Sequence, residues 1–113
     1  MTDWLHPGIL LVSDEVIADG LPPSGWRVAR MCGGGDLAHV LELVGRTLEF
    51  PDYYGQNMDA AWDCLTDLTT PTAVVWDGWQ DFAVAHPHDW ARLLGMFHER
   101  CDQRPDFAVV LTR

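Results

Sequence analysis

The stretch Phe50-Pro-Asp-Tyr-Tyr-Gly-Gln-Asn-Met-Asp-Ala-Ala-Trp-Asp-Cys-Leu-Thr-Asp-Leu68 organises this chain. Pro51 to Gly55 has the composition of a turn, and Asn57 is a favoured N-cap for a helix that starts at Met58. Met58, Ala61, Trp62, Leu65 and Leu68 recur at helical spacing and make one apolar stripe that faces a core. Asp59, Asp63 and Asp67 recur every four residues, which stacks them beside that stripe on one side of the helix. Like charges so spaced cost about 0.2–0.5 kcal/mol per pair. Asp67 also falls towards the C-terminal end, where the helix dipole favours cations. No Lys or Arg lies between Arg46 and Arg92 to relieve the repulsion. Spacing alone leaves two readings open: a surface made for a cationic partner, or the solvated face of an acidic protein.

Upstream, Leu37, Val40, Leu41, Val44 and Leu48 spell a second amphipathic helix, capped by Asp36 and ended before Pro51. Trp26–Cys32 reads as a strand. Gly33–Gly35 is then a bend, without the spacing or the Lys of a phosphate loop. Downstream, Ala73–Trp76 is apolar on both faces, as suits a buried parallel strand, and Asp77-Gly78-Trp79 turns the chain. Phe82 and Ala83 anchor a short helix. His86 and His88 flank Pro87 just before Asp89, which fits a helix start better than a metal site, since no second ligand pair stands at metal spacing. Trp90, Leu93, Leu94, Phe97 and Cys101 stripe the last helix, and Phe107–Leu111 is a closing buried strand.

Strands alternating with helices predict an α/β fold with a small three-stranded parallel sheet. Right-handed crossovers would put the helices on one face. Ahead of the first of these strands, Gly8–Val12 reads as a short strand that either joins the sheet edge or packs over a helix, and Leu21–Gly25 as a turn or linker.

A length of 113 residues implies one domain, and 48% apolar content with six Trp indicates a folded core. A formal charge of −10 argues against nucleic acid or an anionic membrane as a direct partner. All seven basic residues are Arg. Cys32, Cys64 and Cys101 make no even disulfide framework and no Cys-x-x-Cys pair, so reduced, buried, structural thiols are expected. With no secretory signal and no apolar run of membrane length, the expected location is the cytoplasm.

Pro51-Asp-Tyr-Tyr-Gly-Gln-Asn-Met-Asp-Ala-Ala-Trp-Asp-Cys-Leu65 resembles the signature of the barstar family, bacterial intracellular inhibitors of secreted ribonucleases. That pattern runs Pro-x-aromatic-aromatic-Gly-x-Asn-x-Asp-Ala-x-x-Asp-x-Leu, and weaker similarity extends from about Trp26 to Arg113. The resemblance implies a barstar-like α/β domain spanning residues 26–113 with residues 1–25 as an N-terminal extension, and an antitoxin or immunity protein without catalysis or cofactor. Its partner would be a small basic ribonuclease, or ribonuclease toxin domain, of the guanyl-specific barnase type, and the free protein would be a monomer.

By resemblance, Asp63 matches the main contact with the nuclease, Asp59 its neighbour one turn earlier, and Glu99 a further acidic contact on the last helix. Around them Tyr53, Tyr54, Gly55, Asn57, Trp62 and Asp67 complete the expected contact surface. Trp62 also has the spacing of an ordinary core residue. Three positions depart from the family: Gln56 and Gln103 replace acids, and Leu68 replaces a Trp.

The mechanism so implied is charge mimicry. Carboxylates on successive helical turns are about 5–6 Å apart at Cβ, close to the spacing of phosphates along RNA, and would form charge-assisted bonds with active-site Arg and His. Two other functions keep the acidic helix: an adaptor of the same fold that binds another basic protein, and a Mg²⁺-dependent hydrolase built on Asp59, Asp63 and Glu99.

Overall fold

The computed structural model describes residues 9–12 (backbone only), 25–51 and 54–112. Strand β1 is Ile9–Val12 and β2 is Arg27–Cys32; helices α1 (Leu37–Thr47) and α2 (Met58–Thr66) lead to β3 (Thr72–Asp77). Helices α3 (Gln80–Ala85) and α4 (Pro87–Gln103) then lead to β4 (Phe107–Thr112). All strand pairs are parallel, in the order β1-β4-β3-β2.

The sheet is therefore the expected three-stranded one plus an edge strand from the N-terminal segment. Ile9 is in register with Val109 and Val12 with Thr112. Of the two placements left open for Gly8–Val12, residues 9–12 take the sheet edge. Residues 21–24 of the expected turn lie outside the described residues.

One apolar core lies between the sheet and the helices. From the strands it takes Ala29, Met31, Val74, Trp76, Phe107, Val109 and Leu111, alternate residues that share one face. The helices add Val40, Leu41 and Val44, then Ala61 and Leu65, then Phe82, and finally Leu93, Met96 and Phe97. Their placement on that face fits two crossovers of one hand between neighbouring strands. Strand β4 is buried throughout, and β3 up to Asp77, whereas β2 alternates because it is the other edge. Among the described residues, no helix is long and apolar enough to cross a membrane.

Local signals set the helix starts as expected. Asp36 Oδ1 accepts from the His39 amide at 2.9 Å, and Pro87 occupies the first turn of α4. His86 makes no capping bond with its side chain; its ring packs on Phe82 instead. The Gly33 amide donates to the Asp77 carbonyl at 2.8 Å and its carbonyl accepts from Trp76 Nε1 at 2.7 Å, so this glycine ties two strand ends together. Gly78 opposite it has φ of 76°, and a Cβ there would come within 3.1 Å of the Gly33 amide.

A long-range device ends α1. Arg27, on β2, donates to the Thr47 carbonyl at 3.3 Å and pairs with Glu49 at 3.2 Å. Helix C-termini leave carbonyls without intrahelical partners, and a guanidinium satisfies them with the sign the dipole favours.

Candidate partner-binding cleft

Helix α2 begins as the sequence predicts. Asn57 is extended, and its Oδ1 accepts from the Ala60 amide at 2.8 Å. Ala61 and Leu65 are fully buried, while Met58 and Trp62 are half-buried against the core. The helix ends at Thr66 with Asp67 as its C-cap, so Leu68 packs on the core from outside the helix.

Between α2 and α4 lies an open cleft of about 380 Å³, lined by Met58, Asp59, Trp62, Asp63, Met96 and Glu99. Its floor is apolar, with Met96 only 7% exposed, and its carboxylates are all exposed. Asp59, Asp63 and Glu99, drawn from two helices, are thus brought to one cleft. None of them has an ion-pair partner among the described residues. Asp59 also borders a second groove of about 450 Å³, at the start of α2, with Leu37, Leu41, Gln56, Asn57 and Arg92.

Asp67 does not share this cleft. It lines a smaller one with Leu48, Phe50, Cys64 and Leu68 on the α1 side. At 3.6 residues per turn, eight residues overshoot two turns by about 80°, so an i, i+8 pair drifts round the helix.

Tyr54 is half-buried, and its hydroxyl donates to the Leu41 carbonyl at 3.0 Å, inside the protein. Burial first, and the neighbouring Cys64 second, push its phenol up to about 12. Its ring meets Phe50 edge-on at 5.1 Å. Gly55 and Gln56 are exposed in the turn before α2, with Gln56 at φ 54°. Tyr53 lies outside the described residues.

Cys64 and Cys101 are buried, as expected for structural thiols, but Cys32 is exposed. It ends β2, whose outer side has no neighbouring strand in the sheet order. Among the described residues, no group of three or more His, Cys, Asp or Glu side chains is arranged to hold a metal ion.

The fold thus combines a parallel sheet, an N-capped acidic helix and a facing last helix that completes the acidic cleft. Residues 27–112 match the family described as Barstar (barnase inhibitor). The chain belongs to the barstar family. A shorter stretch of 19 residues is 79% identical to a Bacillus subtilis (strain 168) protein named "Putative ribonuclease inhibitor YrdF". That stretch covers 17% of this chain and 21% of the relative. None of the three departures from the barstar pattern is among the residues that line the cleft between α2 and α4. Gln56 borders the second groove, Leu68 the Asp67 cleft, and Gln103 is the exposed last residue of α4.

Two residues of consequence are not visible in the barstar pattern. Arg100 is fully buried, and its Nε donates to the Leu65 carbonyl at 2.8 Å. Arg104 Nη2 donates to the carbonyls of Thr66 and Leu68 at 3.1 and 2.9 Å. Together they supply the cations that the end of α2 lacks in its own sequence. The one signal was an Arg seven residues after Leu93, on the edge of an apolar stripe.

Proposed function

We propose that this protein inhibits a ribonuclease of the guanyl-specific barnase type by filling its cationic active site with the cleft between α2 and α4. The observation that carries the reading is the set of exposed carboxylates of Asp59, Asp63 and Glu99, without ion-pair partners among the described residues, around the apolar floor of Trp62 and Met96. Membership of the barstar family and the name of the B. subtilis relative support it.

In this reading Asp59 and Asp63 stand in for successive phosphates. They would accept charge-assisted bonds from the Arg and His residues that otherwise hold RNA. Asn57, with its amide oxygen fixed by the cap, and Gly55 would border the contact. Tyr54 would act through its ring, since its hydroxyl is engaged. Asp67 would lie at the rim. The inhibitor unit is residues 26–113, with 1–25 an extension, and the protein works in the cytoplasm as a non-catalytic monomer.

The test is inhibition. Purified protein is titrated into a barnase-type ribonuclease while RNA cleavage is followed. Stoichiometric loss of cleavage that Asp63→Ala abolishes supports the proposal. Undiminished cleavage at micromolar inhibitor, with capture of a different basic protein from the native cell, would favour the adaptor. Incubation with RNA and Mg²⁺ alone should release no product.

A further inference from the structure

We propose that Arg100 is a positioning residue for the acidic cleft, seating α2 against α4 so that Asp59 and Asp63 face Glu99 before any partner arrives. Its consequence for binding rests on the inhibitor reading; the geometry does not.

Helix α2 is nine residues long and packs through Ala61 and Leu65, both without exposure. Apolar contacts are non-directional and by themselves leave a short helix free to slide or roll. The Asn57 cap bonds within α2 and cannot orient it on its neighbours. A directional tie from α4 to α2 is made by Arg100 Nε to the Leu65 carbonyl.

That tie is held from behind. Arg100 Nη2 stands 2.9 Å from Asp106 Oδ1, and its guanidinium lies 5.4 Å from the centre of the Phe107 ring. The Asp106 carbonyl accepts from the Thr72 amide at 2.9 Å, which anchors the clamp at the start of β3. Arg100 also follows Glu99 in the chain, so the turn of α4 that grips α2 is the turn that presents Glu99 to the cleft. A change in how Arg100 seats must move Glu99 relative to Asp63.

Stability alone does not account for the arrangement. Its contact with Asp106 is not aligned as a hydrogen bond, and Nη1 has no hydrogen-bond partner among the described residues. A buried ion pair of this kind is often matched in stability by well-packed apolar side chains, so orientation is the better reason for it.

The experiment compares wild type with Arg100→Met, Arg100→Lys and the more exposed Arg104→Ala. The first readout needs no partner: amide exchange across Ala61–Thr66 relative to Leu93–Phe97, under conditions where each variant is folded. Positioning predicts that Arg100→Met speeds exchange in α2 about tenfold more than in α4. Arg104→Ala should shift it in the same direction by less. Arg100→Lys should not restore protection, because an ammonium cannot span Leu65 and Asp106 as a planar fork does.

The second readout is binding to a barnase-type ribonuclease. Glu99→Ala should weaken binding about tenfold less in the Arg100→Met background than in wild type, since the cleft is no longer preset. Unchanged exchange in α2, with the same Glu99→Ala effect in both backgrounds, would overturn the proposal. If wild type does not bind the ribonuclease, the inhibitor reading fails while exchange still decides the clamp. Should Arg100→Met not fold, Arg100→Lys and Arg104→Ala carry both comparisons.

Discussion

The ring of Tyr54 occupies the space that a side chain at Gly45 would need: a Cβ there would lie 2.5 Å from Tyr54 Cε2. Gly45 is buried in α1, and the Tyr54 hydroxyl reaches Leu41 one turn earlier on the same helix. The loop that leads into α2 is therefore keyed into α1 by one ring.

Gly45→Ala sets two effects against each other. Helix propensity favours Ala by about 0.8–1 kcal/mol, while forcing a methyl into a packed site costs about 1–3 kcal/mol. Because the ring is held at its hydroxyl, the steric term should win, with a net loss of up to about 2 kcal/mol. A urea unfolding midpoint checks it, and a rise in stability would show that the ring is free to move.

Tyr54 also has a pH signature. Its phenol is raised from 10.0 to about 12, chiefly by burial. At pH values between these two, the folded chain holds a proton that the unfolded chain has released. The stabilisation is present below pH 10 and is lost as pH rises through about 12. Absorbance titration of the native protein should show this late phenol, and Tyr54→Phe should remove it. The same variant leaves the Leu41 carbonyl without that donor, at about 1 kcal/mol.

The thiols should separate by reactivity. Burial raises Cys64, with Asp67 and then Asp63 adding to it. Burial raises Cys101 to about 11 against the opposing pull of Arg100. A disulfide reagent at pH 8 should modify exposed Cys32 rapidly, and the other two only on unfolding. Equal rates at all three would contradict the packing of α2 and α4.

Asp63→Ala should uncouple stability from binding. Relief of repulsion with Asp59 leaves stability unchanged or higher by about 0.2–0.5 kcal/mol. Affinity for a barnase-type ribonuclease should fall by about 2 kcal/mol or more, the hot-spot scale. Barnase with barstar is itself a reference pair for that scale, so its size is carried over as an expectation. Asp67→Ala, in the separate cleft, should cost much less. Unfolding on Asp63→Ala with affinity intact would make this carboxylate a structural group.

Salt should slow association more than dissociation. A chain of charge −10 approaching a cationic cleft is steered over a Debye length of about 8–10 Å near physiological ionic strength. Stopped-flow rates from low to high salt test this, and a flat association rate would remove electrostatic steering from the mechanism.

Much of this protein is legible along the chain because its causes are local. The Asp36 and Asn57 caps act within three residues, and helical periodicity depends on neighbours a turn away. The parallel strands follow from apolar runs separated by helices. The barstar motif marks Asp59 and Asp63 because they share one short segment. Tertiary structure decided the rest. Arg100 stands at the edge of an apolar stripe, but its role depends on α4 lying beside the end of α2, where it meets a carbonyl 35 residues away. Cys32 is exposed because β2 is an edge, and Asp67 faces a different cleft because the helix turns and ends. Ile9–Val12 gains its place from an open side of β4. Each outcome depends on which distant segments pack together, and spacing along one segment carries no record of that.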